Sequence, residues 1–364
     1  MRLVGDSGLW TTGPVPEGVP LTSVLEVSGA VLSWTVDDPA GAAHIAFTDA
    51  ARADWLWRVV GEAGHSSLVP ALQAGAPAGE LELAVVDVAP GSLDSLRRLA
   101  LGHWLRRWWP ASRRDGIAEL DSALLDGEIA LLTAAAEDFF GTDGTFDSDV
   151  AELLGPHTEA LNALARQSDP RVVEIVRACV ELAEDSGVTI ADAVSVTALR
   201  RREDYALAAG TGGADGHGPA IVTGVGSVNW SAVPQGIFDA AEDTVDWRIE
   251  ADGVLVIAVV HAELSGPGSP AGIEVRVRSG GINGAGALDA TGGATLTLFD
   301  DKQSPATESA AWNHDWRDAQ VSVGVEVDES QQVRDRVRAF ARARLSRPGG
   351  DAFVAEILAA ESNY

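Results

Sequence analysis

Hydrophobic and polar residues repeat with two different periods along the chain, and the change of period divides it. Over residues 1–110, short apolar runs predict strands, and the segment DWLWRVV spaces its apolar side chains four residues apart, as a helix does. From residue 115 to about residue 209 the apolar period is helical throughout. We therefore expect a small N-terminal α/β layer with a helical region packed on it.

End signals mark two of the helices. Ser92 is placed as an N-cap before LDSLRRLALGHWLRRWWP, and Pro110 ends that pattern because proline lacks the backbone N–H. Asp169 and Pro170 form an N-cap followed by a first-turn proline, and Gly187 stands where such a helix would stop. The signals predict one helix that ends before Pro110 and another between Asp169 and Gly187.

The glycine-rich run at 210–219 predicts a linker. Beyond it, hydrophobic residues alternate with polar ones, with a period of two residues. Val275 and Val277 alternate with arginines, and the valines between 321 and 327 alternate with polar or small residues. These patterns predict half-buried antiparallel strands.

The segment GALDATGGATLTLFD combines a turn at Asp289 to Gly293 with alternating Leu and Thr residues. It resembles the strand-turn-strand segment of prealbumin-like and immunoglobulin-like β-sandwich modules, over about residues 245–328. The resemblance implies a C-terminal β-sandwich, which we expect two helices to close, and so a multidomain α+β chain. A fold of this kind implies no activity by itself.

These patterns divide the chain into five predicted parts. They are a small α/β layer at 1–110, a helical region packed on it at 111–209, a linker at 210–219, a β-sandwich at 220–328 and C-terminal helices at 329–364.

Composition favours a folded acidic protein. Hydrophobic residues make up 46% and charged residues 22% of the 364 residues, and the formal net charge is -28. A charge of this sign repels phosphate, so we expect neither nucleic acid nor an anionic membrane as a partner. The single Cys179, the lack of a secretory signal pattern and the lack of a long apolar stretch favour a cytoplasmic location. Only one of the 26 basic residues is lysine, a bias typical of GC-rich bacterial genomes.

Residues 5–8 read Gly-Asp-Ser-Gly, which surrounds a nucleophilic serine in trypsin-like and GDSL-type hydrolases. A trypsin-like site needs a histidine and an aspartate from well upstream, and only four residues precede Gly5. The N-terminal position resembles that of GDSL-type esterases, whose base comes from a C-terminal Asp-x-x-His.

The partner motifs of that esterase family are missing. None of the seven histidines has an aspartate three residues before it, and Gly281-Ile282-Asn283, which comes nearest to the family's Gly-x-Asn-Asp block, is followed by glycine. A hydrolase centred on Ser7 is therefore the disfavoured alternative, and a tight turn explains the tetrapeptide. We expect no catalytic residue.

No cofactor or metal pattern stands out in the sequence. The glycine-rich run follows a helical pattern rather than a strand and lacks the Gly-Lys-Ser/Thr ending of a phosphate-binding loop. The histidines are dispersed, whereas metal sites need clustered ligands. We expect neither a cofactor nor a bound metal.

A basic and aromatic segment includes Arg106, Arg107, Trp108 and Trp109. Arg and Trp are favoured anchors of protein interfaces, so the segment is a candidate docking surface for an acidic partner. The arginines do not form one stripe, which favours the alternative that they neutralise the protein's own carboxylates.

A second candidate surface contains Trp312, His314, Asp315 and Trp316, placed before a predicted strand. Loops of a rigid sandwich commonly bind ligands, and exposed tryptophans stack on sugars or contact peptides. The pattern leaves open whether these tryptophans fill the sandwich core instead.

Three consecutive arginines, Arg200, Arg201 and Arg202, precede the glycine-rich run, and we expect trypsin to cut there first. This stretch is either a regulatory loop, where a partner protein cleaves or docks, or an inert linker. Taken together, the sequence predicts a non-catalytic intracellular interaction or adaptor protein that works with protein partners. The alternative is a β-sandwich module that binds carbohydrate or peptide.

Overall fold

The computed structural model describes residues 1–6, 8–75, 79–140, 146–187, 220–252, 255–327 and 329–362. These residues form a mixed α+β fold with three open antiparallel sheets. The chain divides into two compact units. Unit 1 comprises Met1–Trp109, Leu120–Asp192 and Gln331–Tyr364, and unit 2 comprises Pro110–Glu119 and Ala193–Ser330.

The helices of the described residues lie mainly in unit 1. They are α1 (Leu56–Gln73), α2 (Asp94–Trp108), α3 (Ser122–Phe140), α4 (Phe146–Leu154), α5 (Thr158–Leu164), α6 (Pro170–Asp185), α7 (Glu308–Asn313), α8 (Gln331–Ser346) and α9 (Val354–Ser362). Of these, α7 belongs to unit 2.

The strands divide between the two units. Those of unit 1 are β1 (Arg2–Asp6), β2 (Leu9–Thr12), β3 (Thr22–Val27), β4 (Ala30–Thr35), β5 (His44–Phe47) and β6 (Gly79–Glu82). Those of unit 2 are β7 (Ala220–Gly226), β8 (Val245–Asp252), β9 (Leu255–Ala262), β10 (Glu274–Ser279), β11 (Ile282–Ala287), β12 (Gly293–Thr297) and β13 (Gln320–Val323).

Unit 1 packs its helices on one sheet of order β3-β4-β5-β2-β1-β6. Leu32 and Ile45 of the sheet are buried, as are Leu96 and Leu105 of α2, so the apolar face of that helix covers the sheet. The indole Nε1 of Trp104 donates to the Pro20 carbonyl at 2.6 Å, which satisfies the polar atom of a buried ring.

The helix end signals are confirmed for α6 and only in part for α2. Asp169 caps α6 by accepting from the Arg171 backbone N–H, Pro170 is the first helical residue, and Gly187 follows the helix with a φ of 72°. By contrast, α2 begins at Asp94, and the Ser92 hydroxyl donates to the Ala89 carbonyl rather than capping the helix.

The two C-terminal helices belong to unit 1, not to the sheet domain that we expected them to close. Arg336 of α8 donates to Asp37 and Glu17 of unit 1, and the Phe340 ring meets Trp104 edge to face at 5.4 Å. Phe353 is fully buried there. Hydrophobic period predicted these helices but not the surface that they cover.

The predicted helical region at 111–209 also divides differently, because its first residues lie in unit 2. Ser112 and Ile117 exchange backbone hydrogen bonds in a short turn rather than a helix. The Arg113 backbone N–H donates to the buried Asp239 carboxylate at 2.8 Å, and this bond fixes the turn to the rest of the unit.

Unit 2 contains two antiparallel sheets, of order β12-β9-β8-β7 and β11-β10-β13. They share one hydrophobic core, in which Val260 and Leu298 of one side join Val275 and Val277 of the other. The predicted turn at Asp289 is confirmed, since its carboxylate accepts from the backbone N–H groups of Thr291 and Gly293.

The valine alternation continues past the last strand, but β13 ends at Val323. Gly324 follows with a φ of 82°, and a Cβ there would lie 2.2 Å from the Ala232 carbonyl oxygen. This close approach turns the chain away from the sheet and leaves Val325 59% exposed.

Several predicted features lie outside the described residues. They are Ser7, the arginines Arg200 to Arg202 and the predicted linker at 210–219. Within the ranges that the structure describes, no helix is long and apolar enough to cross a membrane.

Candidate functional site

Strand β7 lies at the edge of the four-stranded sheet of unit 2. Its sequence, Ala-Ile-Val-Thr-Gly-Val-Gly, contains no charge and no proline. Among the described residues it pairs only with β8, so its other edge carries backbone groups without a strand partner. Proteins usually protect such edges with charges, prolines or covering elements, because an open edge pairs readily with another chain.

Trp247 of β8 forms the floor beside this edge. The ring packs against Gly224 of β7, where a Cβ would lie 2.2 Å from the Cζ2 atom of the indole. Only 9% of Trp247 is exposed. A glycine at this register position is what allows the indole to lie flat along the edge strand.

Two cavities open next to Trp247, one of about 560 Å³ and one of about 450 Å³. Both are lined by Val225 of β7, Trp247 and Ala319, which precedes β13. The two cavities share these residues beside the edge strands β7 and β13, and together we call them the β7–β13 cleft. Val225 is 56% exposed at its rim.

The predicted tryptophan cluster lies at one end of this cleft, and its two tryptophans have different roles. Trp316 is buried in the shared core, and its Nε1 donates to the Ala311 carbonyl at 2.8 Å. Trp312 is 50% exposed on α7, where its Nε1 donates to Glu308 at 3.2 Å. One ring thus fills the core, and the other presents an aromatic face to the cleft.

His314 also lines the cleft, between these tryptophans. Its Nε2 lies 2.9 Å from the hydroxyl of Ser279, and its ring meets Trp316 at 4.6 Å. Ser279 is only 1% exposed, which is unsuited to a nucleophile.

The carboxylate that a catalytic triad would need on His314 is occupied elsewhere. Asp315 accepts from the Arg317 side chain at 2.9 Å, and this hydrogen bond holds the pKa of Asp315 at about 2. The Ser279 and His314 contact therefore orients the loop of the cleft and does not assemble a hydrolase site.

Arginines line the cleft, and each is paired with a carboxylate of unit 2. Arg278 contacts Glu326 at 2.8 Å, Arg276 contacts Glu274 at 2.7 Å, and Arg317 contacts Asp315. The cleft thus offers apolar and aromatic surface with internally neutralised cations at its rim.

The basic and aromatic segment at the end of α2 is used largely within the protein. Arg106 Nε lies 3.1 Å from the buried Asp126, and the Arg107 guanidinium stacks on the Trp108 ring at 4.1 Å. Trp109 is half-buried at the end of the helix. These contacts favour the prediction that the arginines offset the chain's own carboxylates, whereas its docking role stays a prediction.

The sequence did not single out β7 or Trp247. The available signal was a run of β-branched residues without a charge directly after a glycine-rich segment. Among the described residues, no group of three or more His, Cys, Asp or Glu is placed so that it could hold a metal ion.

Comparison with models of protein families, with curated proteins and with solved structures found no match for this chain. The site must therefore be interpreted from its own geometry.

Proposed function

We propose that this chain is a non-catalytic interaction protein whose unit 2, arranged as a β-sandwich of the immunoglobulin-like or prealbumin-like kind, binds an extended segment of a partner protein. The segment adds as a strand to β7 and places its side chains in the β7–β13 cleft. The observation that carries this proposal is the uncharged, one-sided edge of β7 beside an apolar cleft.

Backbone pairing supplies affinity in this mode, and the cleft supplies selectivity. Alternate residues of an added strand face the same side, so every second side chain would face the side of the sheet on which Trp247 lies, towards Trp247 and Trp312. We therefore expect a partner segment with apolar or aromatic residues at alternate positions.

Charge favours a segment flanked by basic residues. The cleft arginines already have carboxylate partners, whereas Asp246, opposite Val225 in the sheet register, and Asp318 have no ion pair among the described residues. The whole chain has a net charge of -28. A cationic partner would be steered towards this surface, and a second copy of the chain would be repelled.

Selection of displayed random peptides against the full chain tests this function. A labelled peptide from this selection should bind the wild-type chain. Val225→Lys and Val225→Glu should each weaken its binding about tenfold or more relative to the wild type, because both place a charge in the apolar cleft. Val173→Lys, which alters a 40% exposed valine of unit 1, is the matched control and should bind as the wild type does.

Hydrogen exchange provides the second measurement. Bound peptide should slow exchange of the amides of β7, since strand addition buries its free edge. The proposal is contradicted if binding responds only to the sign of the charge at Val225, or if β7 amides exchange at the same rate with peptide bound. It is also contradicted if glycans bind through Trp312 while no peptide does.

A further inference from the structure

A separate cavity of about 550 Å³ lies within unit 1. Its walls come from β4, from α2, from α8 and from the residues before α9. This volume falls in the range of small-molecule sites, roughly 300 to 1,000 Å³. The β7–β13 cleft is formed by different residues, so this unit 1 cavity needs its own explanation.

One wall of the unit 1 cavity is apolar. Trp34 and Leu101 are 3% and 7% exposed, and the Phe340 ring of α8 joins them. Two aromatic rings and a leucine on one side suit a hydrophobic group of moderate size.

Two of the three arginines in the cavity are neutralised by the protein. Arg98 pairs with Glu128, and Arg344 pairs with the fully buried Glu356 and with Asp351, the latter at 3.2 Å. Their positive charges are thus balanced before any ligand binds.

Arg97 differs from both. Its guanidinium donates to the backbone carbonyls of Pro39, at 2.7 Å, Gly41, at 3.2 Å, and Asp38. Carbonyl oxygens satisfy N–H groups but do not cancel the charge, and no carboxylate among the described residues forms an ion pair with Arg97. The cavity therefore contains one cation without a counter-ion.

Asp94 lies one turn earlier on α2 and also lines the cavity. It is exposed, and it too has no ion pair with any described residue. Asp94 and Arg97 thus carry opposite charges one turn apart on α2, each without an ion pair to a described residue, and both line the cavity.

We propose that this cavity binds a free amino acid with an apolar side chain. Its carboxylate would pair with Arg97, its ammonium group with Asp94, and its side chain would pack on Trp34, Leu101 and Phe340. A dianion such as a phosphate ester fits less well, because Asp94 and Asp351 would repel it.

Isothermal titration calorimetry of the full chain with L-leucine and L-phenylalanine tests the proposal. Two probes lack one charged group each: 4-methylpentanoate lacks the ammonium group, and 3-methylbutylamine lacks the carboxylate. The amino acids should bind about tenfold more tightly than either probe, since each charge-assisted contact adds affinity. Asp94→Asn should remove the preference over 4-methylpentanoate.

Two further variants separate binding from folding. Arg97 also holds the 38–41 backbone, so replacing Arg97 would confuse a loss of binding with a loss of structure. Ser95→Trp is used instead, because Ser95 is exposed and lines the cavity, and Ser66→Trp on α1 is the matched control. Only Ser95→Trp should abolish binding. The proposal is overturned if neither amino acid binds at about 10 mM, or if the two single-charge probes bind as tightly as the amino acids. It is also overturned if Ser95→Trp leaves binding unchanged.

Discussion

The indole of Trp247 lies against the backbone of Gly224 on the neighbouring strand, so closely that a Cβ at position 224 would stand 2.2 Å from the ring. The glycine therefore sets the position of the aromatic floor of the β7–β13 cleft. Any side chain there must displace either the indole or the edge strand.

Gly224→Ala should destabilise unit 2 by about 1–3 kcal/mol, the usual cost of overpacking a fitted site. Gly226→Ala is the matched control on the same strand, because nothing lies within 4 Å of its Cβ position. Urea unfolding followed by tryptophan fluorescence measures the difference. Equal stability of the two variants would show that Trp247 is not held against Gly224.

Glu356→Gln should lower the free energy of unfolding of unit 1 by about 3 kcal/mol, because it leaves the Arg344 side chain, which is only 10% exposed, without its main counter-ion. Glu356 is fully buried and accepts from Arg344 at 2.7 Å and from the Phe353 backbone N–H at 2.9 Å. Chemical denaturation with a unit 1 probe measures the loss.

An exposed pair gives the control for this buried one. Glu181→Gln on α6 breaks a surface contact with Arg177 at 3.4 Å and should leave the free energy of unfolding nearly unchanged. Replacing Arg344 and Glu356 together by Met and Leu should recover part of the loss. If the double variant is less stable than Glu356→Gln, uncompensated charge is not the cause.

Asp169 should make unit 1 sensitive to acid. Hydrogen bonds from the Arg171 side chain and backbone hold the pKa of Asp169 at about 2, below its ordinary value of 3.8. A lowered folded-state pKa adds stability above the ordinary value, and this stability is lost as the pH falls from about 4 towards 2. Asp169→Asn lacks this dependence.

The melting temperatures of the wild type and of Asp169→Asn should therefore differ at pH 5 and converge as the pH approaches 2. Scanning calorimetry across this range checks the prediction. A constant difference across the whole range would mean that the carboxylate acts only as a neutral helix cap, without help from its charge.

Cys179 should not react with thiol reagents while unit 1 is folded. It is fully buried, and burial, with a smaller effect of the Glu128 charge, raises the pKa of its thiol to about 12. Because it is the only cysteine in the chain, labelling reports on this unit alone. Reaction of one equivalent with a disulfide reagent in denaturant, and none in buffer at pH 8, is the expected result.

Local features of the fold were predictable where a residue type determines its own backbone. Asp169 and Pro170 fix the start of α6, and Asp289 fixes a turn through its own carboxylate. These signals depend only on neighbours in sequence.

Features that depend on distant residues were not predictable. The valine alternation ran past Gly324, and only the nearby Ala232 carbonyl shows why β13 stops before it. The tryptophans of the cleft were unpredictable for the same reason. Nothing in the sequence distinguishes Trp312 from Trp316, and only the packing of distant residues into the shared core buries one ring and leaves the other exposed. Period indicates which face is buried but not what covers it.

The assignment of α8 and α9 to unit 1 affects how the protein emerges from the ribosome. The chain completes every residue of unit 2, Pro110–Glu119 and Ala193–Ser330, before it supplies the helices that carry Arg336 and Phe353 to unit 1. Domains usually fold in the order of synthesis. Here unit 1 starts before unit 2 but lacks α8 and α9, with the Phe340 contact to Trp104 and the buried Phe353, until after the last residue of unit 2 has been translated.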